Sequence, residues 1–220
     1  WKSPWGEGRP GWHIECSAMS TKHLGPAFDI HGGGVDLVFP HHENEIAQAQ
    51  AAGRPFAKYW VHNGLLTVSG EKMSKSLKNF ILVDQVIKEC WGHDDKMKVD
   101  ALKTFFLGTH YRSSIDYTAT NIKASGKRFQ NWFHSYLRTL DVPPLSENLP
   151  PDLKQMKDDF LAALDEDLNT PRALAVLDKI SNFILQLHID LVNSDQETET
   201  QKDKFAWAGQ LLRELVEVVG

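Results

Sequence analysis

Cysteine is scarce: Cys16 and Cys90 are the two in 220 residues. That number excludes a disulfide framework and predicts thiols that stay reduced or bind a metal. Long apolar runs are also missing. Nothing approaches the roughly 20 residues of a membrane span, and the opening Trp1-Lys2-Ser3-Pro4-Trp5 has no signal-peptide pattern. A cytoplasmic protein with no membrane partner is expected. Basic charge is not in excess: a net charge of -5 and a pI near 6.1 exclude a protein that coats nucleic acid by bulk electrostatics. Any RNA contact must be local. There is no internal repeat, and the chain begins without Met on the Pro/Gly-rich segment Ser3 to Gly11, which reads as an interior loop of something longer.

What is present is an ordinary globular composition, 41% hydrophobic and 24% charged, enough to bury one good core or two modest ones. Ala27-Phe28-Asp29-Ile30 reads as a buried strand running into Gly32-Gly33-Gly34, where positive φ would let a ligand approach without a Cβ in the way. A tight structural turn is the commoner use of such a triplet. Pro40 suits the first residue of a helix predicted over 40–52, and Tyr59 to Val68 is strand-like up to the Ser69-Gly70 turn. From residue 84 the pattern is helical. Thr118 is placed to cap a helix whose stripe is Ile122, Phe129, Trp132, Phe133, Tyr136, Leu137 and Leu140. After a proline-punctuated linker, Asn169-Thr170-Pro171 caps a further helix, and four helices in all predict an antiparallel bundle over 116–220.

Three groups of residues carry chemistry. His41 and Glu45 stand four apart on the predicted helix, a spacing at which two side chains grip one ion, and Cys16 offers a sulfur from the preceding segment. Thiolate, imidazole and carboxylate together suit zinc. Taken singly, Cys16 is more often a small core residue and Glu45 a solvated one. The set lacks a fourth protein ligand, a place for water, substrate or a residue upstream of Trp1. The second group is the His31-Gly32-Gly33-Gly34 run. The third is the loop Lys72-Met73-Ser74-Lys75-Ser76, followed by Lys78, whose ammonium groups suit polyphosphate. Most such runs are simply solvated. Lys123, Lys127, Arg128 and Arg112 add a cationic flank that is either a phosphate-backbone contact or ordinary surface charge.

In Gly-Trp-His-Ile-Glu-Cys-Ser-Ala-Met (11–19), His-Gly-Gly-Gly (31–34), Phe-Pro-His-His-Glu-Asn-Glu (39–45) and Lys-Met-Ser-Lys-Ser (72–76), the sequence resembles the cysteinyl-tRNA synthetases. The likeness continues through His110-Tyr111-Arg112-Ser113 and Asp165-Glu166-Asp167-Leu168-Asn169-Thr170-Pro171 and so covers essentially the whole chain. It implies an α/β then all-α architecture: residues 1–115 as the second half of a Rossmann-like class I catalytic domain, and 116–220 as a bundle that contacts the tRNA stem. It implies zinc on Cys16, His41 and Glu45, with one more cysteine that the family carries near its N-terminus. Lys72 and Lys75 become catalytic; Lys75, His31, Gly33 and Gly34 become ATP-binding, with magnesium accompanying ATP. Trp12, His31 and Asp36 would meet the amino acid and adenylate. The implied partners are cysteine, ATP and tRNA(Cys). The family's His-Ile-Gly-His signature, its first cysteine and its anticodon-reading tail do not occur in these 220 residues. Activity is therefore expected to need an N-terminal half. The rival readings are a ligase that joins cysteine to an amino sugar, and a non-catalytic zinc- and RNA-binding remnant.

Overall fold

The computed structural model describes residues 1–74, 76–193 and 198–220. They form two compact units, one of residues 1–65 with 112–114 and one of 66–111 with 115–220.

The first unit opens with a small hairpin, β1 (Lys2–Ser3) and β2 (Gly6–Glu7), followed by helix α1 (Trp12–Leu24). Glu15 in the first turn of α1 and Lys22 and His23 in the last complement its dipole. Strands β3 (Phe28–Gly34) and β4 (Ala57–Asn63) then pair in parallel, with His31 opposite Trp60 and Gly33 opposite His62. Helix α2 (Glu43–Ala51) lies in the crossover that a parallel pair requires. Two expectations change here. The glycine run is strand rather than turn: pairing to β4 continues to Gly34, and none of the three has a left-handed φ. Nor does Pro40 open a regular helix. Residues Val38–His42 form a wide turn containing an extended Phe39 and a cis Phe39–Pro40 bond, and α2 starts at Glu43.

In the second unit β5 (Leu66–Val68) lies between β6 (Glu71–Lys72), antiparallel across the Ser69-Gly70 turn, and β7 (Ile115–Tyr117), parallel. Ser69 and Gly70 have φ of 52° and 82°, the left-handed pair that a two-residue hairpin turn needs. Among the described residues six helices follow in this unit: α3 (Val83–Glu89), α4 (Asp95–Leu107), α5 (Ala119–Leu137), α6 (Pro151–Asp165), α7 (Thr170–Asn193) and α8 (Glu199–Val218). Thr118 caps α5 as its sequence predicts, its hydroxyl accepting from Asn121 N at 3.1 Å, and Asn169 Oδ1 accepts from Arg172 N at the start of α7. α7 is the axis of the bundle: α5, α6 and α8 all pack on it, and α4 packs on α5. Its core contains Phe129, Trp132, Phe160, Leu174, Leu177, Ile180 and Leu212. The predicted α5 stripe ends at Tyr136, because Leu137 is one residue round the helix and Leu140 lies beyond its end; both are exposed. Among the described residues no helix is long and apolar enough to cross a membrane.

Candidate active site

Glu45 is the centre of the first unit. Its side chain is wholly buried. Oε1 lies 2.7 Å from His41 Nε2, one helical turn before it, and Oε2 lies 2.8 Å from His31 Nε2 on β3. The ligand atoms of Cys16, His41 and Glu45 all fall within 4.8 Å of one another. The i,i+4 relation expected of His41 and Glu45 therefore survives the change in helix start, because the chain is already coiled at His41.

Burying a carboxylate is costly. Burial pushes its pKa up to about 7, with the neighbouring Cys16 thiol acting the other way. Burial, and then the Glu45 charge, also raise the Cys16 thiol. The histidines move in the opposite sense. His41 is lowered by burial and then by His13, and His31 by burial and then by His41 and His62. His42 is lowered to about 4 by burial and then by His31, His62 and His41. Neutral imidazoles and a carboxylate that meet at one buried point each offer a lone pair, the kind of donor a cation needs. The fit of Cys16, His41 and Glu45 to a metal rests on geometry: one thiol, one imidazole and one buried carboxylate whose ligand atoms lie within 4.8 Å of one another.

Around this centre the structure places several of the other predicted residues. The Trp12 ring lies 4.3 Å from that of His41, and more than half of its surface stays exposed. His31 packs against Trp60 at 4.7 Å and His42 at 4.9 Å. Gly33 and Gly34 serve close approach. A Cβ on Gly33 would meet His42 Cε1 at 2.8 Å, and one on Gly34 would meet Asp36 Oδ1 at 2.5 Å. Asp36 itself is exposed in the short turn Val35–Leu37 after β3. Two residues of the cluster escaped the sequence reading, His42 and His62, joined by a 2.7 Å hydrogen bond between His42 Nδ1 and His62 Nε2. The available signal was the Trp60-Val61-His62 alternation, which puts positions 60 and 62 on one face of a strand.

The lysine loop belongs to the second unit. Lys72 ends β6, and the loop is tied across its base by Asn79, whose Oδ1 accepts from Ser74 N at 2.8 Å and whose Nδ2 donates to Lys72 O at 3.2 Å. Ser74 and Ser76 hydroxyls meet at 3.0 Å. Lys75 lies outside the described residues. Of the predicted cationic flank, Arg128 is committed internally: it makes a two-pronged ion pair with Asp178, whose carboxylate also accepts from Trp132 Nε1. The Asp165–Pro171 segment turns between α6 and α7 with Asp167 and Leu168 both at φ 52°, and Tyr111 donates its hydroxyl to Asp167 at 2.7 Å.

The family described as tRNA synthetases class I (C) catalytic domain matches residues 1–127, and a DALR domain matches residues 154–220. Cysteine–tRNA ligases of Francisella tularensis subsp. novicida (strain U112) and subsp. tularensis (strain WY96-3418) are each 45% identical over 221 aligned residues. Those alignments cover 100% of this chain but 44% and 43% of the relatives, so the chain spans less than half their length. A solved LeuRS–tRNA–LeuAMS ternary complex from Agrobacterium radiobacter K84 has a similar fold, with a TM-score of 0.63 and 18% identity over 86% of this chain and 25% of that one. Mycobacterium tuberculosis methionyl-tRNA synthetase, solved with methionyl-adenylate, gives 0.58 and 19% over 87% of this chain and 40% of that one.

Proposed function

This chain belongs to the class I (C) tRNA synthetase catalytic-domain family, and from that premise we propose that its residues serve a cysteine–tRNA ligase. In that reaction the cysteine carboxylate attacks the α-phosphorus of ATP and pyrophosphate leaves; a ribose hydroxyl of the 3′-terminal adenosine of tRNA(Cys) then takes the cysteinyl group from the adenylate and AMP leaves. The relatives are more than twice as long, so the whole reaction is assigned to a cytoplasmic polypeptide of that length, and the isolated 220 residues are expected to be inactive.

The observation that carries the reading is the wholly buried Glu45 beside a thiol and an imidazole, their ligand atoms within 4.8 Å of one another. Cys16, His41 and Glu45 would hold zinc, which when bound supplies a soft cationic contact that favours a substrate thiolate over a hydroxyl. Cysteine and serine differ by one atom, too little for a pocket to sort by shape alone. Trp12, His31 and Asp36 are assigned to the amino acid and adenylate, and His31, Gly33 and Gly34 to ATP, which binds with magnesium. Lys72 and Lys75 stabilise the charge that builds on the phosphates as pyrophosphate departs. Residues 1–115 form the catalytic part and residues 116–220 the part that meets the tRNA stem. Because Arg128 already pairs with Asp178, the backbone contact on α5 falls to Lys123 and Lys127.

Exchange of labelled pyrophosphate into ATP by a polypeptide of the relatives' length containing this chain is the test. Cysteine is expected to drive the exchange and serine to leave it at background; equal rates, or no exchange, overturn the proposal. Charging of glucosaminyl-inositol in place of tRNA would move it to the amino-sugar ligase.

A further inference from the structure

β6 is the outer strand of the small sheet in the second unit, which runs β6, β5, β7, so among the described residues no strand pairs with its other edge. The two-residue turn Ser69-Gly70 makes Val68 and Glu71 the hydrogen-bonded pair of the hairpin. The backbone groups of Lys72, the next residue, therefore face away from β5. An open edge of this kind leaves backbone donors and acceptors in need of partners.

Here the partner is a side chain. Asn79 is half-buried; its Nδ2 donates to Lys72 O at 3.2 Å, and its Oδ1 accepts from Ser74 N at 2.8 Å. A residue on a parallel neighbouring strand would take the same two groups, the carbonyl before Met73 and the amide after it, so one carboxamide stands in for a strand. Ser74 is tied a second time, its hydroxyl accepting from Leu77 N at 3.2 Å. Lys78, immediately before Asn79, has a left-handed φ of 54°. A lysine keeps that conformation where the surrounding structure demands it, and such strain gathers at functional sites.

We propose that Asn79 is a positioning residue for adenylate formation, holding Lys72 and Ser74 extended so that the Lys72 ammonium is set in place before ATP binds. The proposal rests on the reading above, in which Lys72 stabilises the departing pyrophosphate. Without the brace that lysine must be ordered at the moment of reaction, and a displacement of about 1 Å can cost roughly 100-fold in rate. Both halves of the carboxamide are needed, since an ionised aspartate lacks the donor and alanine lacks donor and acceptor alike. Placement of this kind lowers the barrier without tightening substrate, so its loss falls on kcat.

The readout is cysteine-dependent exchange of labelled pyrophosphate into ATP by a polypeptide of the relatives' length. N79A should lower kcat by about 10- to 100-fold and leave KM for ATP and cysteine within about threefold. N79D, which keeps the acceptor for Ser74 N and loses the donor to Lys72 O, should fall between. In a K72A background N79A should cost less than about threefold, because the side chain it places is gone. Amide hydrogen exchange in the same proteins separates placement from folding: N79A should speed exchange of the Ser74 amide and leave the α7 amides unmoved. If N79A loosens α7 as well, N79D carries the comparison, and loosening of α7 by both variants overturns the inference. So does an unchanged kcat, a loss confined to KM, or an undiminished loss in the K72A background. No exchange by the unmodified protein overturns the proposed function and this inference with it, whereas cysteine-dependent exchange that is indifferent to N79A overturns this inference alone.

Discussion

At Gly33 one missing atom decides the packing. The sequence of the triplet suggests a tight turn because glycine permits positive φ, but the strand needs it for the opposite reason, to stay extended while the His42 ring lies against it. His42 cannot retreat: it is buried among His31, His41, Trp60 and His62. Gly33→Ala should cost about 1–3 kcal/mol in urea denaturation, the range for overpacking a filled site. Gly8→Ala, where an added Cβ meets nothing within 4 Å, should stay within about 0.5 kcal/mol. Equal effects at the two positions would refute the crowding argument. The same residues show what a sequence reveals of a site. His41 and Glu45 were legible because helical spacing is local. The grouping of His31, His42 and His62 depends on a strand register that no local pattern encodes. Lys75 was legible only through its motif and chemistry. Lys75→Ala in a polypeptide of the relatives' length should slow adenylation by about two orders of magnitude, as removal of other transition-state donors does. An unchanged pyrophosphate-exchange rate would remove Lys75 from the mechanism.

At the scale of elements, what holds the lysine loop is a strand it never touches in sequence. Asp116 on β7 accepts from Gly70 N at 2.8 Å and from Thr67 Oγ1 at 2.7 Å, and so fixes the turn between β5 and β6 from which the loop departs. Those donors, the Gly70 amide first, hold the Asp116 carboxyl below its ordinary 3.8. A carboxylate lowered by folding contributes stability above its unfolded pKa and loses it as pH falls through the folded value. The Gly70 amide should therefore titrate in NMR spectra with a midpoint below 3.8, and Asp116→Asn should abolish that titration. A midpoint at or above 3.8 would mean that the carboxylate does not clamp the turn. Caps and stripes were readable here: Thr118 and Asn169 start their helices because their side chains satisfy the first free amides, and Ile122, Phe129 and Trp132 go inward at helical spacing. The wide turn at Val38–His42 was not readable, because proline fits both a helix start and a turn, and only the packing chooses.

The whole molecule divides its stability unevenly. In the second unit Leu153, Phe160, Leu174, Leu177, Ile180 and Ile184 are completely buried. In the first unit, among the described residues, Ala49 is the one buried apolar side chain, alongside the buried polar residues Ser17, His41, His42 and Glu45. Composition foretold enough apolar residues for one good core or two modest ones, but averages over 220 residues cannot say where they gather. A unit whose interior is imidazole and carboxylate gains little from the hydrophobic effect and must draw on something that binds it. In chelator, amides of β3, β4 and α2 should exchange with solvent faster than those of α7. Zinc at about 100 times its dissociation constant should then raise protection in the first unit by about 2.7 kcal/mol and leave α7 unmoved. Hydrogen exchange with mass analysis of peptides from the two units measures both effects. Equal protection without metal would show that the sparse core suffices. Equal zinc-induced slowing in both units would show that the chain opens as one cooperative body, and the metal cluster would then stabilise the bundle as much as the strands that carry it.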